Sequence, residues 1–118
     1  MLFRSNNTID SPKDETTTSY RGIYSSGNLT ICGKGSLDIA FASDWNYIYG
    51  IDSVGLLTIE EDVSIKMENV VSGIAAYGIN AEGGIKALGN SKLDIALTRA
   101  ANASTVIKAI NALGEFEV

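Results

Sequence analysis

Histidine is absent from this 118-residue chain, which also holds a single cysteine and a single proline. Without histidine, the chain by itself cannot form a Ser-His-Asp or Cys-His nucleophilic site, and it lacks the commonest general base and metal ligand. The lone Cys32 excludes an internal disulfide. Basic residues are scarce, at 9 against 14 acidic ones, and this acidic balance argues against a nucleic-acid partner.

Long apolar runs are also missing from the sequence. None approaches the roughly 20 residues that a membrane-spanning helix needs, so we expect no membrane insertion. Residues 1–7 lack the apolar segment of a signal peptide. The composition, 45% hydrophobic and 19% charged, is typical of a folded domain rather than a disordered chain.

A repeat of 28 residues dominates what the sequence does contain. Gly-Ile segments that close on a second glycine occupy residues 22–27, 50–55 and 78–83, and a related Ala-Ile copy at 109–114 lies three residues late. The similarity continues beyond the glycines. Leu29-Thr30-Ile31 matches 57–59, 85–87 and 116–118, and Leu37-Asp38-Ile39 matches 65–67 and 93–95.

Each short apolar-polar-apolar piece has the period of a strand with one buried face. Pieces this short are stable when each pairs with its equivalent in the next turn, roughly 4.8 Å away. We therefore predict an all-β fold, a parallel β-helix (β-solenoid) of about four turns of roughly 28 residues with three short strands per turn. An antiparallel sandwich or barrel is the alternative, but it does not require like residues at identical offsets.

The predicted register fixes which residues share an inward column. Leu29, Leu57, Ile85 and Phe116 form one column, and Leu37, Ile65 and Leu93 form another. The corners fall at Gly27, Gly55, Gly83 and Gly114, where we expect a positive φ. The alanine-rich stretch 96–112 leaves room for one helical turn in a loop.

The same register divides the chain. Residues 1–20 are a partial first turn with a polar loop, and the repeats are 21–48, 49–76, 77–107 and a partial 108–118. Carried backwards, the register places residues 1–3 on the 29–31 column and Ile9 opposite Leu37. Neither end has an obvious cap, so we expect self-association through the open ends of the solenoid.

An aromatic loop is the strongest candidate for ligand binding. It contains Asp44, Trp45, Asn46, Tyr47 and Tyr49, including the only tryptophan. Flat aromatic faces beside carboxylate and amide groups suit sugar rings, and aromatics with one wet end also serve protein contacts. The structural alternative is that Trp45 covers the side of the stack while Tyr49 pairs with Tyr77 in register.

Three further polar sets have mainly structural explanations. Asp52, Asn80 and Asn111 share one repeat position with Tyr24 and predict a side-chain ladder. Asp38, Lys66 and Asp94 predict charge compensation between stacked strands.

The acidic run Glu60-Glu61-Asp62 is a weak candidate for calcium, which prefers six to eight oxygen ligands. We expect a solvated turn there, and no cofactor.

The pattern Gly-Ile-x-Ser-x-Gly-x-Leu-Thr-Ile, at residues 22–31 and 50–59, resembles right-handed parallel β-helix repeats of bacterial cell-surface and carbohydrate-binding proteins. These include a family that binds acidic plant polysaccharides. The resemblance covers roughly residues 20–118. That family often has Asp-Gly-Ile with acidic calcium ligands, whereas here Arg21, Tyr49 and Tyr77 precede the Gly-Ile pairs.

The resemblance implies a non-catalytic bacterial surface module, either carbohydrate-binding or an adhesin-like spacer, and not an enzyme. It implies an extracellular or cell-surface location as part of a longer chain. One alternative is a fragment of a polysaccharide lyase or hydrolase β-helix, in which Lys66, Lys86 or Lys92 meets carboxylates in a groove. Another is a purely structural repeat segment of a larger protein.

Overall fold

The computed structural model describes residues 2–3, 6–11, 19–41, 46–101, 103–114 and 116–117. Within these ranges the chain forms twelve strands. They are β1 (Leu2–Phe3), β2 (Asn6–Ser11), β3 (Ser19–Ser25), β4 (Leu29–Phe41), β5 (Tyr47–Ser53), β6 (Leu57–Ile59), β7 (Asp62–Val71), β8 (Ala75–Ala81), β9 (Ile85–Ala87), β10 (Lys92–Arg99), β11 (Val106–Ala112) and β12 (Phe116–Glu117).

The strands stack as a parallel β-solenoid. Strands β3, β5, β8 and β11 form one side, which we call the Gly-Ile sheet. The first part of β4 continues through β6, β9 and β12, while its second part pairs with β2 and β7, and β7 pairs with β10. The all-β parallel solenoid is confirmed, with about three turns, close to the four predicted.

The stacking of like residues is confirmed strand by strand. Leu29 pairs with Leu57, and Leu57 pairs with Ile85. Leu37 pairs with Ile65, and Ile65 pairs with Leu93. Most of these side chains point into one hydrophobic core that runs through the stack. The largest fully buried side chains are Ile31, Leu37, Ile39, Ile48, Ile51, Leu57, Ile59, Ile65, Met67, Ile79, Ile85 and Val63.

Two of the three strands in each turn are longer than the predicted three-residue pieces. In the Gly-Ile sheet β5, β8 and β11 each have 7 residues, and β7 has 10. Pairing with the next turn supplies hydrogen bonds to the backbone whatever the side chains are, so the strands continue past the apolar-polar-apolar pattern. The alanine-rich stretch belongs mostly to β10 and β11, and the described ranges contain no helix.

The register predicted for the first turn is wrong by two residues. Leu2 lies opposite Cys32 and Ile9 lies opposite Ile39, which is an offset of 30 rather than 28. The connection 12–18 between β2 and β3 is two residues longer than the connection 42–46 between β4 and β5. An even shift keeps each side chain on the same face of its strand, so the apolar pattern tolerates it.

The role predicted for the corner glycines is also wrong. None of Gly27, Gly55, Gly83 and Gly114 has a positive φ; the described glycines that do are Gly33, Gly35, Gly84 and Gly89. The glycines at these corners are explained instead by the close approach of the backbone of the adjacent turn. A Cβ on Gly83 would lie 2.3 Å from the carbonyl carbon of Gly55, and one on Gly55 would lie 2.7 Å from that of Gly27.

We predict that Gly83→Ala destabilises the fold by about 2 kcal/mol or more, because its methyl group meets backbone that cannot move aside. Gly27→Ala is the matched control, since nothing lies within 4 Å of its added Cβ. That change should be neutral or stabilising by up to about 1 kcal/mol through the unfolded state. Urea denaturation of both variants provides the comparison, and equal effects would contradict the close-approach explanation.

Candidate functional site

The outer surface of the Gly-Ile sheet carries most of the tyrosines. Four of the five in the chain lie there, and we call them the tyrosine face: Tyr24, Tyr47, Tyr49 and Tyr77. Alternation sets this direction, because Ile48 is fully buried between Tyr47 and Tyr49. The fifth tyrosine, Tyr20, is buried and packs against the ring of Phe41.

A hydrogen-bonded ladder crosses all four strands beside these rings. The Arg21 Nε donates to Asp52 Oδ2 at 2.7 Å, and the Asn80 side-chain amide donates to Asp52 Oδ1 at 2.9 Å. The Asn111 amide then donates to Asn80 Oδ1 at 2.7 Å. Asp52 is only 6% exposed, so its charge depends on these donors. The predicted structural ladder is confirmed, with Arg21 as a member that the sequence argument did not include.

Arg21 also organises the aromatic rings. Its guanidinium carbon lies 5.5 Å from the centre of the Tyr24 ring and 5.2 Å from that of the Tyr49 ring. These are cation–π distances. On its other side Tyr49 stacks on Tyr77, with 5.3 Å between ring centres and 11° between the planes. The predicted in-register pairing of Tyr49 with Tyr77 is confirmed.

The position of Tyr49 within this stack affects the acidity of its hydroxyl. Burial raises the pKa of its hydroxyl above 10.0, and the neighbouring Tyr77 raises it further, while Arg21 acts in the opposite direction. The hydroxyl therefore stays protonated throughout the neutral range. It can both donate and accept a hydrogen bond at the edge of the stack.

Tyr47 has a different environment from the other three rings. Its neighbours in the adjacent turns are Ser19 and Ala75, both small. Its side chain is exposed, and within the described part of the chain its ring has no aromatic or cationic partner. In the described part of the chain, small side chains therefore lie opposite this ring in both adjacent turns.

The structure describes only part of the predicted aromatic site. Asp44 and Trp45 lie outside the described residues. Asn46 has a structural role through its backbone oxygen, which accepts hydrogen bonds from the amides of Ile74 at 2.8 Å and Ala75 at 3.0 Å. Tyr47 and Tyr49 lie on the tyrosine face as neighbours on β5.

Two members of the face, Tyr24 and Tyr77, and the neighbouring Arg21 were not ligand candidates in the sequence analysis. Tyr24 was noted only for its place in the polar column, Tyr77 only as the partner of Tyr49, and Arg21 only as the residue before a Gly-Ile pair. Their positions follow from the offset of 28, since Arg21 lies opposite Tyr49 and Tyr24 lies opposite Asp52. The signal was present, but the length of the Arg21 side chain allows it to reach diagonally to Asp52, and no repeat pattern encodes that contact.

The three carboxylates of the acidic run, the weak calcium candidates, have different neighbours. The carboxylates of Glu60 and Glu61 lie within 4.8 Å of each other and of the Cys32 thiol, while Asp62 accepts a hydrogen bond from the Asn90 amide at 3.1 Å. Two carboxylates and a soft sulfur do not fit calcium, which needs six to eight oxygens. Glu61 has a φ of 67°, at the same corner as Gly33 and Gly89 in the adjacent turns.

The charged column on β4, β7 and β10 is in register as predicted. Asp38 and Asp94 both pair with Lys66 along the strands, but the ion pair that Lys66 forms is with Glu68, at 3.3 Å. Both groups are largely exposed, so the pair adds little stability. Asp38, Ala40, Lys66 and Glu68 line a shallow depression there.

Comparison of the chain with protein-family models, curated proteins and solved structures gives no significant match. The resemblance to bacterial surface β-helix repeats therefore stays a prediction, and the solenoid fold rests on the strand pairing described above. Within the described ranges, no helix is long and apolar enough to cross a bilayer.

The raised pKa of Tyr49 predicts a pH dependence of stability. A hydroxyl that is harder to ionise in the folded state contributes stability that is complete below the unfolded pKa of about 10 and is lost as the pH rises through the folded value. Tyr49→Phe, which cannot ionise, should therefore lose less stability than the wild type between about pH 9 and about pH 11. Urea denaturation across this range measures it.

The control for this experiment is Val70→Ala, which changes an exposed side chain on β7 that carries no ionisable group. Its loss of stability at alkaline pH should follow that of the wild type. Parallel curves for the wild type and Tyr49→Phe would contradict a burial effect on Tyr49.

Proposed function

We propose that this chain is a non-catalytic module of a bacterial surface protein that binds a polysaccharide on the tyrosine face. The observation that carries the proposal is the collection of four of the five tyrosines on the outside of one sheet. A tyrosine ring presents an apolar face and a polar edge, and a pyranose ring likewise has apolar faces and a rim of hydroxyls.

Tyr47 is the stacking platform in this proposal. Ser19 and Ala75, which lie opposite it in the adjacent turns, are too small to cover its ring. Tyr49 differs, because Arg21 covers one face of its ring and Tyr77 the other. Tyr49 and Tyr77 therefore contribute their hydroxyl edges, which hydrogen-bond to sugar hydroxyls.

The ladder beneath the rings supports binding by holding the surface rigid. Arg21, Asp52 and Asn80 are joined by hydrogen bonds of 2.7 and 2.9 Å across three turns. A surface that is already ordered loses little conformational entropy when a ligand binds, which favours affinity. The flat sheet also suits an extended polymer better than a small molecule, which needs an enclosed pocket.

The charges on this face favour a neutral sugar chain over an acidic one. The Arg21 charge is paired with Asp52, and the whole chain carries a net charge of -5 that repels polyanions. The proposal requires no metal and no catalytic residue. It keeps the extracellular or cell-surface location that the resemblance to surface β-helix repeats implies.

A rigid spacer in an adhesin is the second candidate. The continuous parallel pairing from β3 to β11 favours it. Such a stack is a rigid rod that can hold two parts of a protein apart, and this role requires no ligand. Under this hypothesis the tyrosines are only a stabilising stack. The two functions differ in one measurable property, which is binding to sugars.

The test is affinity electrophoresis and calorimetry of the purified chain with neutral β-linked glucans and xylan, and with polygalacturonate as the acidic comparison. We expect binding to a neutral polymer, and a loss of at least about tenfold in affinity in Tyr47→Ala, as for a central contact residue. Tyr47→Phe should retain most of the affinity because it keeps the ring.

Val70→Ala is the matched control, since Val70 is exposed on β7, outside the Gly-Ile sheet. Trp45→Ala tests the predicted contribution of the neighbouring loop residue. Absence of binding to every polymer would favour the spacer, and binding that survives Tyr47→Ala would place the site elsewhere.

A further inference from the structure

Three successive turns each place one large apolar side chain at the start of a strand of the Gly-Ile sheet, and we call Tyr47, Ile74 and Val106 the apolar strip. Tyr47 lies opposite Ala75, and Ala75 lies opposite Val106, so these positions share one column on the outside of the sheet. Ile74 immediately precedes Ala75, and its amide donates to the backbone oxygen of Asn46 in the turn before. Ile74 is 53% exposed and Tyr47 39%, whereas Ala75 is 7% exposed. The larger side chains therefore form the surface of the strip.

The strip runs across the strands, along the axis of the solenoid. In its own direction a strand of this sheet offers only a short flat stretch, because Gly50 and Ile51 are both buried and interrupt the alternation of inward and outward side chains on β5. Across the strands the same position recurs in each turn, roughly 4.8 Å from the one before. A long ligand on this surface therefore finds repeated contacts along the axis rather than along β5.

A second column beside the strip supplies hydrogen-bonding groups. Tyr49 and Tyr77 lie opposite each other on β5 and β8, and Lys108 occupies the same position on β11. The two phenol hydroxyls donate and accept hydrogen bonds, and the ammonium group of the exposed Lys108 donates them. The two columns together thus form a surface with an apolar half and a polar half, which matches the apolar face and hydroxyl rim of a sugar ring.

We propose that the polysaccharide on the tyrosine face is a cellulose-like chain of all-equatorial sugars that lies along the solenoid axis, with one sugar ring per turn over the apolar strip. This inference deepens the proposed function and rests on it. Each ring of such a chain advances it by nearly the spacing between turns, so successive rings stay in step with Tyr47, Ile74 and Val106. These three side chains carry no charge, which suits a neutral polymer.

The orientation of the sugar hydroxyls decides which polymer fits the strip. Successive rings of a cellulose-like chain turn over, so both faces of the sugar meet the surface in alternation. In a glucose polymer both faces present only C–H groups, whereas in a mannose polymer the hydroxyl on the second carbon is axial and every second ring points it at the strip. The side chains of Ile74 and Val106 offer this hydroxyl no hydrogen bond, so it would lose its water without replacement.

The experiment is calorimetric titration of the full chain with oligosaccharides of glucose and of mannose that share this linkage. We expect cellohexaose to bind at least about tenfold more tightly than mannohexaose, and cellotetraose at least about tenfold more tightly than cellobiose, which reaches only two turns. Ile74→Ala should weaken the binding of cellohexaose at least about fivefold by removing part of the strip. Val70→Ala shortens a side chain of nearly equal exposure, 52%, on β7 and should leave the affinity unchanged.

Nuclear magnetic resonance of the wild-type chain gives the direction of the ligand without any variant. Cellohexaose should shift the methyl resonances of Ile74 and Val106 together with the ring resonances of Tyr47, and leave those of Val70 in place. Shifts confined to β5, equal affinity for the two hexaoses, no gain with length, full affinity in Ile74→Ala, or failure of cellohexaose to bind where a neutral polymer binds would each overturn this inference and leave the proposed function standing. Absence of binding to every neutral sugar would overturn both.

Discussion

Parallel pairing of each strand with its equivalent in the next turn, 28 to 31 residues later, is the interaction on which the rest of this structure depends. It satisfies the backbone without helices or hairpins, and it places residues of the same repeat position one above another. The pairing requires close approach of successive turns, and Gly55 and Gly83 permit it at one corner while Gly22 and Gly50 permit it within the Gly-Ile sheet. Larger side chains at these positions would separate the turns and weaken every column at once.

Much of this architecture can be predicted from the sequence, because the spacing between the repeat copies gives the register in which their strands pair. The columns of Leu29 and Leu37 and the pairing of Tyr49 with Tyr77 follow from the offset of 28. The Asp52–Asn80–Asn111 ladder follows from the same offset together with the three extra residues before the last copy. The first turn could not be placed in this way, since the connection 12–18 adds two residues that do not belong to the repeat. A strand pattern of period two fixes the face of a side chain but not a shift by an even number of residues.

The candidate site was only partly predictable, for a related reason. Offsets identify which residues share a column, and they identified Tyr47 and Tyr49 as neighbours of the second Gly-Ile pair. They do not give the reach of a long side chain, so the contact of Arg21 with Asp52, Tyr24 and Tyr49 emerges only in three dimensions. Repetition thus produces a flat surface, and departures from repetition, such as Tyr47 between Ser19 and Ala75, give it specific properties.

The most direct test of this account is a set of nuclear Overhauser contacts from a methyl-labelled sample. The parallel register requires contacts between Ile31 and Ile59 and between Ile51 and Ile79, each separated by 28 residues, with the same separation continued along both strands. Observation of these pairs would establish the column geometry that creates the tyrosine face. Contacts whose separation changes steadily along a strand, as in an antiparallel sandwich, would contradict the solenoid and remove the basis of the proposed function.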